Sequence, residues 1–314
     1  MIAPERAKRP SDFVSAASVR TDSKFDCAFC ERGPAYKERL HEFETDEIYV
    51  TPNKYPAFVE DARAVSARVT PDEGNFYIRK PSLGVHDVIV IKDHDLDLPH
   101  FNHRIWVELF TVFQRRYDHF RDTMNALASV GIYNHLSPAG ASIQHPHAQL
   151  MASNVIPNFI EKELHGAERW FETSGRCVFC ALVEHELKEH VRIVYKSSSW
   201  VAFTFYAARF PFEIWVLPLD HHSRFEDAAK ADIDSLATVL MNVFAELNTV
   251  LRNPPLNFYI HSIPNDITHA DYYHWHIEIT PRLSTYGGYE LGSGMVIDVV
   301  SPEKAAEFLR KESK

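Results

Sequence analysis

The sequence predicts an α+β protein made of two repeats, each an antiparallel sheet backed by a long helix. Three observations predict this fold class. A C-x-F-C motif occurs at Cys27–Cys30 and again at Cys177–Cys180, and an H-x-H motif occurs at His145–His147 and again at His274–His276. A long amphipathic helical pattern precedes each H-x-H. Because these features recur in the same order, an internal duplication explains them better than chance.

The first repeat begins with C-x-F-C and continues with two predicted strands. Glu47–Val50 is rich in β-formers and ends in the turn-forming Thr51–Pro56, and Val88–Ile91 leads to His94. A helix is predicted from about Phe101 to Ala128, because apolar residues recur there at helical spacing. They are Ile105, Trp106, Leu109, Phe113, Phe120, Met124 and Leu127. Gly131–Tyr133 and the stretch from His145 to Met151 complete the repeat as strands.

The second repeat follows the same order. After C-x-F-C, a strand at Glu213–Leu217 leads to His221 and His222, and a helix is predicted from about Ala231 to Leu251. The last two predicted strands are Asn257–Ile260 and His274–Glu278. We therefore expect two halves, 1–160 and 170–314, whose sheets could join edge to edge. Ser301 and Pro302 are typical of the start of a last helix, which would end near Arg310.

Composition excludes several classes of function. The formal net charge of −10 argues against non-specific attraction to nucleic acid or anionic membranes. No apolar run approaches the roughly 18 residues of a membrane span, and the opening residues lack the apolar region of a signal peptide. The sequence therefore predicts a cytoplasmic protein.

The four cysteines predict two structural zinc sites. In a reducing compartment, paired C-x-x-C motifs favour metal over disulfide, and a closed zinc site needs two further ligands. The repeat nominates His94 and His145 in the first half, and His221 and His274 in the second. The two histidines are 51 residues apart in the first pair and 53 in the second. His222 and His276 are competing ligands for the second site, and two pairs of packed thiols are the alternative to metal.

The stretch His145–Gln149 carries the predicted chemistry. If zinc fixes His145, it also fixes the strand that presents His147, and a neutral histidine that is not a ligand can act as a nucleophile toward phosphorus. Gln149 lies on the same strand face and can donate a hydrogen bond to a phosphoryl oxygen. Because glutamine cannot protonate a leaving group, the site favours a transferase over a hydrolase. His276 and Glu278 occupy the equivalent places, but a glutamate would repel phosphate, so we expect one chemical centre per chain.

These motifs resemble the galactose-1-phosphate uridylyltransferase family, the transferase branch of the histidine triad superfamily. The H-P-H-x-Q motif beside C-x-x-C is the most specific match. The other residues that carry the resemblance are Ala3–Pro10, Asn53–Pro56, Asn134, Ser142, His274–Glu278 and Gly288–Glu290. The resemblance implies two histidine-triad-like repeats whose antiparallel sheets join into one large half-barrel sheet with flanking helices.

The resemblance also implies a ping-pong transfer of a nucleoside monophosphate from a nucleotide sugar to a sugar 1-phosphate through His147. Ser142, Gln149 and Asn134 would hold phosphates, Arg6 and Arg9 would bind the nucleotide phosphates, and Asn53 would lie near the nucleoside. Tyr289 and Glu290 fall where the family reaches across a homodimer interface to the sugar.

The substrates stay open at this point. The segment between Arg282 and Gly288 is short, and it lacks a lysine matching the one that the family uses near the sugar phosphate. A cysteine-containing second metal site resembles the plant-type branch, in which ADP-glucose phosphorylase occurs. The leading hypothesis is a UDP-glucose:hexose-1-phosphate uridylyltransferase. The alternatives are an adenylyl-transferring phosphorylase acting on ADP-glucose or a dinucleoside polyphosphate, and a non-catalytic zinc-stabilised binding module.

Overall fold

The computed structural model describes residues 8–13, 23–60, 82–124, 126–268 and 270–311. It confirms the α+β class: nine antiparallel strands form one open sheet in the order β1-β2-β4-β3-β8-β9-β7-β6-β5. The strands are β1 (Ile48–Pro52), β2 (Gly84–Ile91), β3 (Ala128–His135), β4 (His147–Ser153), β5 (Ile193–Lys196), β6 (Trp200–Thr204), β7 (Ile214–Pro218), β8 (Leu256–His261) and β9 (His276–Pro281).

Seven α-helices accompany the sheet within the described ranges. They are α1 (Pro34–Lys37), α2 (His103–Met124), α3 (Asn158–Ser174), α4 (Val178–Glu189), α5 (Lys230–Leu251), α6 (Gly288–Ser293) and α7 (Pro302–Lys311). The helices predicted from about 101, 231 and 301 correspond to α2, α5 and α7. The stretch between the two predicted halves falls within α3. None of these helices combines the length and apolar character needed to cross a membrane.

The strand order is that of a duplicated unit with a local two-fold axis. β3 pairs with β4 through Ile132 and Gln149, and β8 pairs with β9 through Tyr259 and Glu278. At the centre of the sheet, β3 pairs with β8 through the same two residues, Ile132 and Tyr259. The axis therefore passes between Ile132 and Tyr259, and Gln149 and Glu278 occupy equivalent positions.

Strand alternation divides the side chains between two faces of the sheet. One face packs against α2 and α5 in a single core that includes residues of both halves, such as Trp106, Phe244 and Phe258. On the other face, α3 and α4 cover the second half. The C-x-F-C segment packs on the same face of the first half, against Tyr49, Val88 and Val90. This second face also carries His147 and Gln149.

The structure shifts one predicted boundary that matters for the site. β4 begins at His147, so His145 and Pro146 precede the strand. Of the two histidines, only His147 therefore belongs to the strand. The Pro146 carbonyl accepts a hydrogen bond from Ile91 N–H at 3.1 Å, which holds this entry against β2.

Candidate active site and metal centres

The first predicted metal site is assembled in the fold. Cys27, Cys30, His94 and His145 place one ligand atom each within 4.8 Å of one another, and His145 is fully buried. Cys27 Sγ lies 3.4 Å from His145 Nδ1, Cys30 Sγ lies 3.4 Å from His94 Nδ1, and the two Nδ1 atoms are 3.1 Å apart. A tetrahedral zinc ion would separate sulfur and nitrogen ligands by roughly 3.3–3.8 Å. The donor set therefore fits zinc closely.

A hydrogen bond on the far side of the ring sets the tautomer of His145. Its Nε2 lies 2.7 Å from the carbonyl oxygen of Ile91, the last residue of β2. A carbonyl accepts only, so Nε2 carries the proton and Nδ1 keeps its lone pair toward the two thiols. The orientation suits a metal ligand.

The second predicted site is also assembled, from Cys177, Cys180, His221 and His274. Cys180 Sγ lies 3.2 Å from His221 Nδ1 and 3.5 Å from His274 Nδ1, which again fits a tetrahedral ion. Neither of the two competing ligands belongs to this group: His222 is absent from it, and His276 belongs to a different cluster. Cys177 stands at the start of α4, and His221 is exposed, so this site is more open to solvent than the first.

His147 is held as a nucleophile would be. Its Nδ1–H donates to the carbonyl oxygen of His145 at 2.8 Å, so the lone pair of the neutral ring is on Nε2. In the part of the chain that the structure describes, Nε2 has no hydrogen-bond partner. His147 is 5% exposed, and burial lowers its pKa below 6.5 although the bond to His145 opposes the change. The ring is therefore neutral at pH 7 and packs on Phe29, with 5.0 Å between ring centroids.

A cavity of about 110 Å³ opens beside His147. Its wall includes Asn134 at the end of β3 and the loop that follows it. In this loop Leu136 has φ 67° and ψ 159°, a conformation that a leucine rarely adopts, and Gly140 has φ 97°. Asn134 Oδ1 accepts a hydrogen bond from Asn257 at 2.7 Å, which ties the cavity wall to β8. Ser142 lies exposed in the same loop.

Gln149 and Asn53 meet at a third residue, His86 of β2. The Nε2 atom of His86 lies 2.8 Å from Gln149 Oε1 and 3.1 Å from Asn53 Nδ2. The structure therefore brings His147, Gln149 and Asn53 to one face of neighbouring strands. The sequence had not singled out His86, because we began the second strand at Val88. Extending the two-residue alternation by one step would have placed His86 on the face of Val88 and Val90.

The remaining predicted binding residues lie elsewhere. Arg9 borders a cavity with Thr249 and Arg252, at the carboxyl end of α5. Tyr289 is 51% exposed on α6, where its hydroxyl contacts Met295, and the Glu290 carboxylate accepts from Gly287 N–H. Arg6 lies outside the described residues.

In the second half, the position equivalent to the candidate active site holds a cluster of charged side chains. His276 is oriented like His147, since its Nδ1 lies 3.1 Å from the His274 carbonyl and Phe179 packs on it at 5.1 Å. Its Nε2, however, faces Glu163 at 3.4 Å and Glu278 at 3.6 Å. Together with His261, these residues form a third group whose potential metal ligand atoms lie within 4.8 Å.

The charges in this cluster are mutually stabilised. Burial opposes ionisation, but the neighbouring carboxylates of Glu163 and Glu278 raise the pKa of His276 to about 10. Burial likewise works against Glu278, yet His261, His276 and Arg209 lower its pKa to about 2. The nitrogen equivalent to the free Nε2 of His147 is therefore protonated and paired. The sequence analysis missed Glu163 and His261 because they reach this site from α3 and β8, 98 residues apart.

Comparison with known proteins adds independent findings. A model of the galactose-1-phosphate uridyl transferase C-terminal domain matches residues 163–312. ADP-glucose phosphorylase from Arabidopsis thaliana is 30% identical, and the alignment covers 100% of this chain and 90% of that protein. Galactose-1-phosphate uridylyltransferase from Thermotoga maritima is 27% identical, with coverage of 95% and 94%.

Solved structures agree with these matches. ADP-glucose phosphorylase from Arabidopsis thaliana with bound ADP-glucose has a TM-score of 0.81 at 27% identity, covering 99% of this chain and 94% of that one. A GalT-like protein from the same plant has a TM-score of 0.78 at 28% identity, covering 91% and 92%.

Proposed function

The chain belongs to the galactose-1-phosphate uridylyltransferase family, and from this premise we propose that it transfers a nucleoside monophosphate through a covalent nucleotidyl-His147. The donor is a nucleotide sugar and the acceptor is a sugar 1-phosphate or phosphate. The observation that carries the proposal is the bond from His147 Nδ1–H to the His145 carbonyl, which leaves Nε2 unprotonated on a ring that lines the cavity.

In the first step, the Nε2 lone pair of His147 attacks the α-phosphorus of the donor. A bond forms between nitrogen and phosphorus, and the bond from phosphorus to the bridging oxygen breaks. The sugar 1-phosphate leaves with the electron pair and needs no proton. Because Nδ1 keeps its hydrogen, the ring of the adduct is cationic, and the His145 carbonyl at 2.8 Å stabilises that charge.

In the second step, an oxygen of the acceptor phosphate attacks the same phosphorus and His147 leaves as a neutral ring. Gln149 supports both steps by donating a hydrogen bond to a non-bridging oxygen as charge develops there. One such donor contributes on the order of 10²- to 10³-fold in rate when it is held in place. We assign Asn134 and Ser142 to the phosphates, because both border or lie in the loop beside His147.

We propose zinc at both Cys₂His₂ groups. The ligands would be Cys27, Cys30, His94 and His145 in the first site, and Cys177, Cys180, His221 and His274 in the second. Four protein ligands leave no open position, so zinc would supply rigidity rather than Lewis-acid chemistry. All four cysteines are free thiols, which suits the reducing cytoplasm that we propose as the location.

Two donors compete within this reaction class. The first candidate is UDP-glucose as donor with a hexose 1-phosphate as acceptor. Its support is the similarity to galactose-1-phosphate uridylyltransferase from Thermotoga maritima. ADP-glucose with phosphate is the second candidate. Its specific support is that ADP-glucose phosphorylase from Arabidopsis thaliana is 30% identical over the whole chain.

A homodimer with composite sites is part of the proposal. Tyr289 and Glu290 make their contacts around α6, and Arg9 lies near the end of α5, so these side chains do not meet His147 within one chain. We propose that they serve the site of a second copy. Light scattering tests this part of the proposal: we expect a molar mass in solution of twice that of one chain.

Covalent labelling tests the reaction. The protein is incubated with UDP-glucose alone or ADP-glucose alone, and its intact mass is measured. We expect a gain of one uridylyl or one adenylyl group per chain, which names the donor. His147→Ala should abolish the gain, because it removes the attacking nitrogen.

His276→Ala is the matched control, since His276 has the same local geometry in the second half. We expect this variant to label like the wild type once it is shown to be folded. Labelling of His147→Ala, or no labelling of the wild type by either donor, would contradict the proposal. The second result would favour the non-catalytic zinc-stabilised module.

A further inference from the structure

We propose that His86 is a positioning residue for the transfer: it determines that Gln149 presents its amide nitrogen, and not its oxygen, to the phosphate. This inference rests on the proposed function of His147. His86 is 7% exposed on β2 and lies between the turn after β1 and the strand β4. Both of its ring nitrogens are engaged by neighbouring groups of known polarity.

The backbone of Ala57 fixes the tautomer of His86. Ala57 N–H donates to Nδ1 of His86 at 3.1 Å. A backbone N–H can only donate, so Nδ1 must hold the lone pair, and the proton of the neutral ring must be on Nε2. The turn is anchored in place by a second bond, from Asn53 N–H to the His86 carbonyl at 2.8 Å.

The tautomer in turn fixes Gln149. Because Nε2 of His86 carries the proton, the atom of Gln149 that lies 2.8 Å away must accept, and this atom is Oε1. The amide nitrogen of Gln149 is then directed away from His86. Without this bond the amide could rotate by half a turn, and its oxygen would meet the negatively charged phosphoryl group. One neutral imidazole thus selects the donor end of the glutamine.

Asn53 does not compete for the same proton. Its Oδ1 accepts from Tyr55 N–H at 2.9 Å, which leaves Nδ2 as the end that lies 3.1 Å from His86 Nε2. Both of these nitrogens are donors, so they do not bond each other, and no other described residue accepts a hydrogen bond from Nδ2. The pair Asn53 and Gln149 therefore offers two amide nitrogens on one face, arranged around His86.

The second half shows which residues occupy the equivalent position on the side where we expect no phosphate. β2 pairs Val88 with Gln149 and β7 pairs Trp215 with Glu278, so His86 is equivalent to Glu213. There Arg209 contacts both Glu213, at 2.9 Å, and Glu278, and it also donates to Tyr259 at 2.8 Å. Two carboxylates bridged by an arginine replace a histidine bonded to a glutamine. The neutral pair is thus specific to the half that carries His147.

Two substitutions each remove one of the two hydrogen bonds of the His86 ring, either the bond from Ala57 or the bond to Gln149. His86→Gln keeps a donor near the position of Nε2 and loses the acceptor for Ala57. His86→Asn keeps an acceptor near Nδ1 and loses the donor to Gln149. The measurement is the single-turnover rate of nucleotidyl-protein formation at saturating donor, followed by quenched-flow mass spectrometry with the nucleotide sugar that labels the wild type.

We expect His86→Asn to slow adduct formation by roughly 10- to 100-fold, because the glutamine is no longer held as a donor. Donor Kd should change by less than about threefold, and His86→Gln should stay within about threefold of the wild-type rate. In a Gln149→Ala background, His86→Asn should cause no further loss, since the two residues act as a unit.

Three results would overturn the inference while leaving the proposed function intact: a wild-type rate in His86→Asn, equal losses in both variants, or additive losses with Gln149→Ala. Thermal unfolding of each variant checks its fold. If His86→Asn does not fold, a rate of His86→Gln more than about tenfold below the wild type overturns the inference. A wild-type protein that forms no adduct would overturn both proposals.

Discussion

At the residue scale, Asp298 is a buried carboxyl, and only one of its two oxygens accepts a hydrogen bond from a described residue. It is 2% exposed, and its Oδ1 accepts from Val300 N–H at 3.0 Å. Its Oδ2 has no partner among the groups that the structure describes. Burial raises the pKa of this carboxyl from 3.8 to about 6. The ionised form is therefore a cost to the folded state at neutral pH.

The sign of the pH dependence follows from this shift. Between about pH 4 and pH 6 the folded state binds more protons than the unfolded state, so the free energy of unfolding should fall as pH rises through this window. Asp298→Asn removes the titrating group and keeps an oxygen for Val300. We expect the free energy of unfolding of the variant to be roughly 1–3 kcal/mol higher than that of the wild type at pH 7.5. At pH 4 the two values should be nearly equal.

Urea denaturation of both proteins at the two pH values measures this difference. A difference that is the same at pH 4 and pH 7.5 would show that Asp298 does not titrate in this window.

Much of the site at this scale was predictable from motifs. The eight nominated cysteines and histidines come together in two groups because the repeat gave each motif a counterpart. His86 was missed because its strand begins four residues before the most apolar part. Glu163 and His261 were missed because a contact between α3 and β8 leaves no local pattern in the chain.

At the element scale, the two Cys₂His₂ groups anchor different strands. The first group includes His145, which lies two residues before the start of β4 and so positions His147 and Gln149. The second group joins the start of α4 to His274, just before β9, whose His276 is paired with carboxylates. The two groups should therefore contribute differently to the reaction.

Paired serine substitutions test this difference. We expect Cys27→Ser with Cys30→Ser to lose one zinc per chain and most of the nucleotide adduct, because the entry to β4 is no longer held. Cys177→Ser with Cys180→Ser should also lose one zinc but keep the adduct. Zinc content and intact mass are measured on the same samples. Equal loss of adduct in both variants, or an adduct retained by the first, would contradict this division.

Sequence reasoning at this scale succeeded where patterns were long or repeated. α2 and α5 have 22 residues each, so the helical spacing of their apolar residues repeats often enough to be recognised. β5 was missed because it has only four residues. β6 is as long as β1 and β7, but unlike them it is not directly followed by a turn-forming or histidine motif. α3 was not predicted because only Ile160, Leu164 and Ala167 are buried on it, so it carries a weak apolar pattern.

At the scale of the whole molecule, the two halves share one core. Trp106 of α2 stacks on Phe244 of α5 with 5.2 Å between ring centroids, and Phe258 of β8 packs on Tyr133 of β3 at 5.4 Å. These contacts cross the boundary between the halves. Neither half could unfold without exposing the other's apolar side chains.

We therefore expect one cooperative unfolding transition rather than two. Far-ultraviolet circular dichroism and tryptophan fluorescence should give coincident curves in urea at constant zinc concentration, because Trp106 and Trp275 belong to the same core. Two resolved transitions would show that the halves are separate folding units.

The pairing of Ile132 with Tyr259 has a consequence for the ancestry of the chain. A contact in which a strand meets its own equivalent across a two-fold axis is the geometry by which two identical subunits associate. A gene encoding one half would have produced a chain that pairs with a second copy of itself, with one histidine of the His147 type on each side of the axis. Fusion of two such copies would leave one of them without the proposed catalytic role. In the second half, Arg209, Glu213 and Glu278 form an ion-paired cluster, which would keep that half as the internal partner of the half that we propose to be catalytic.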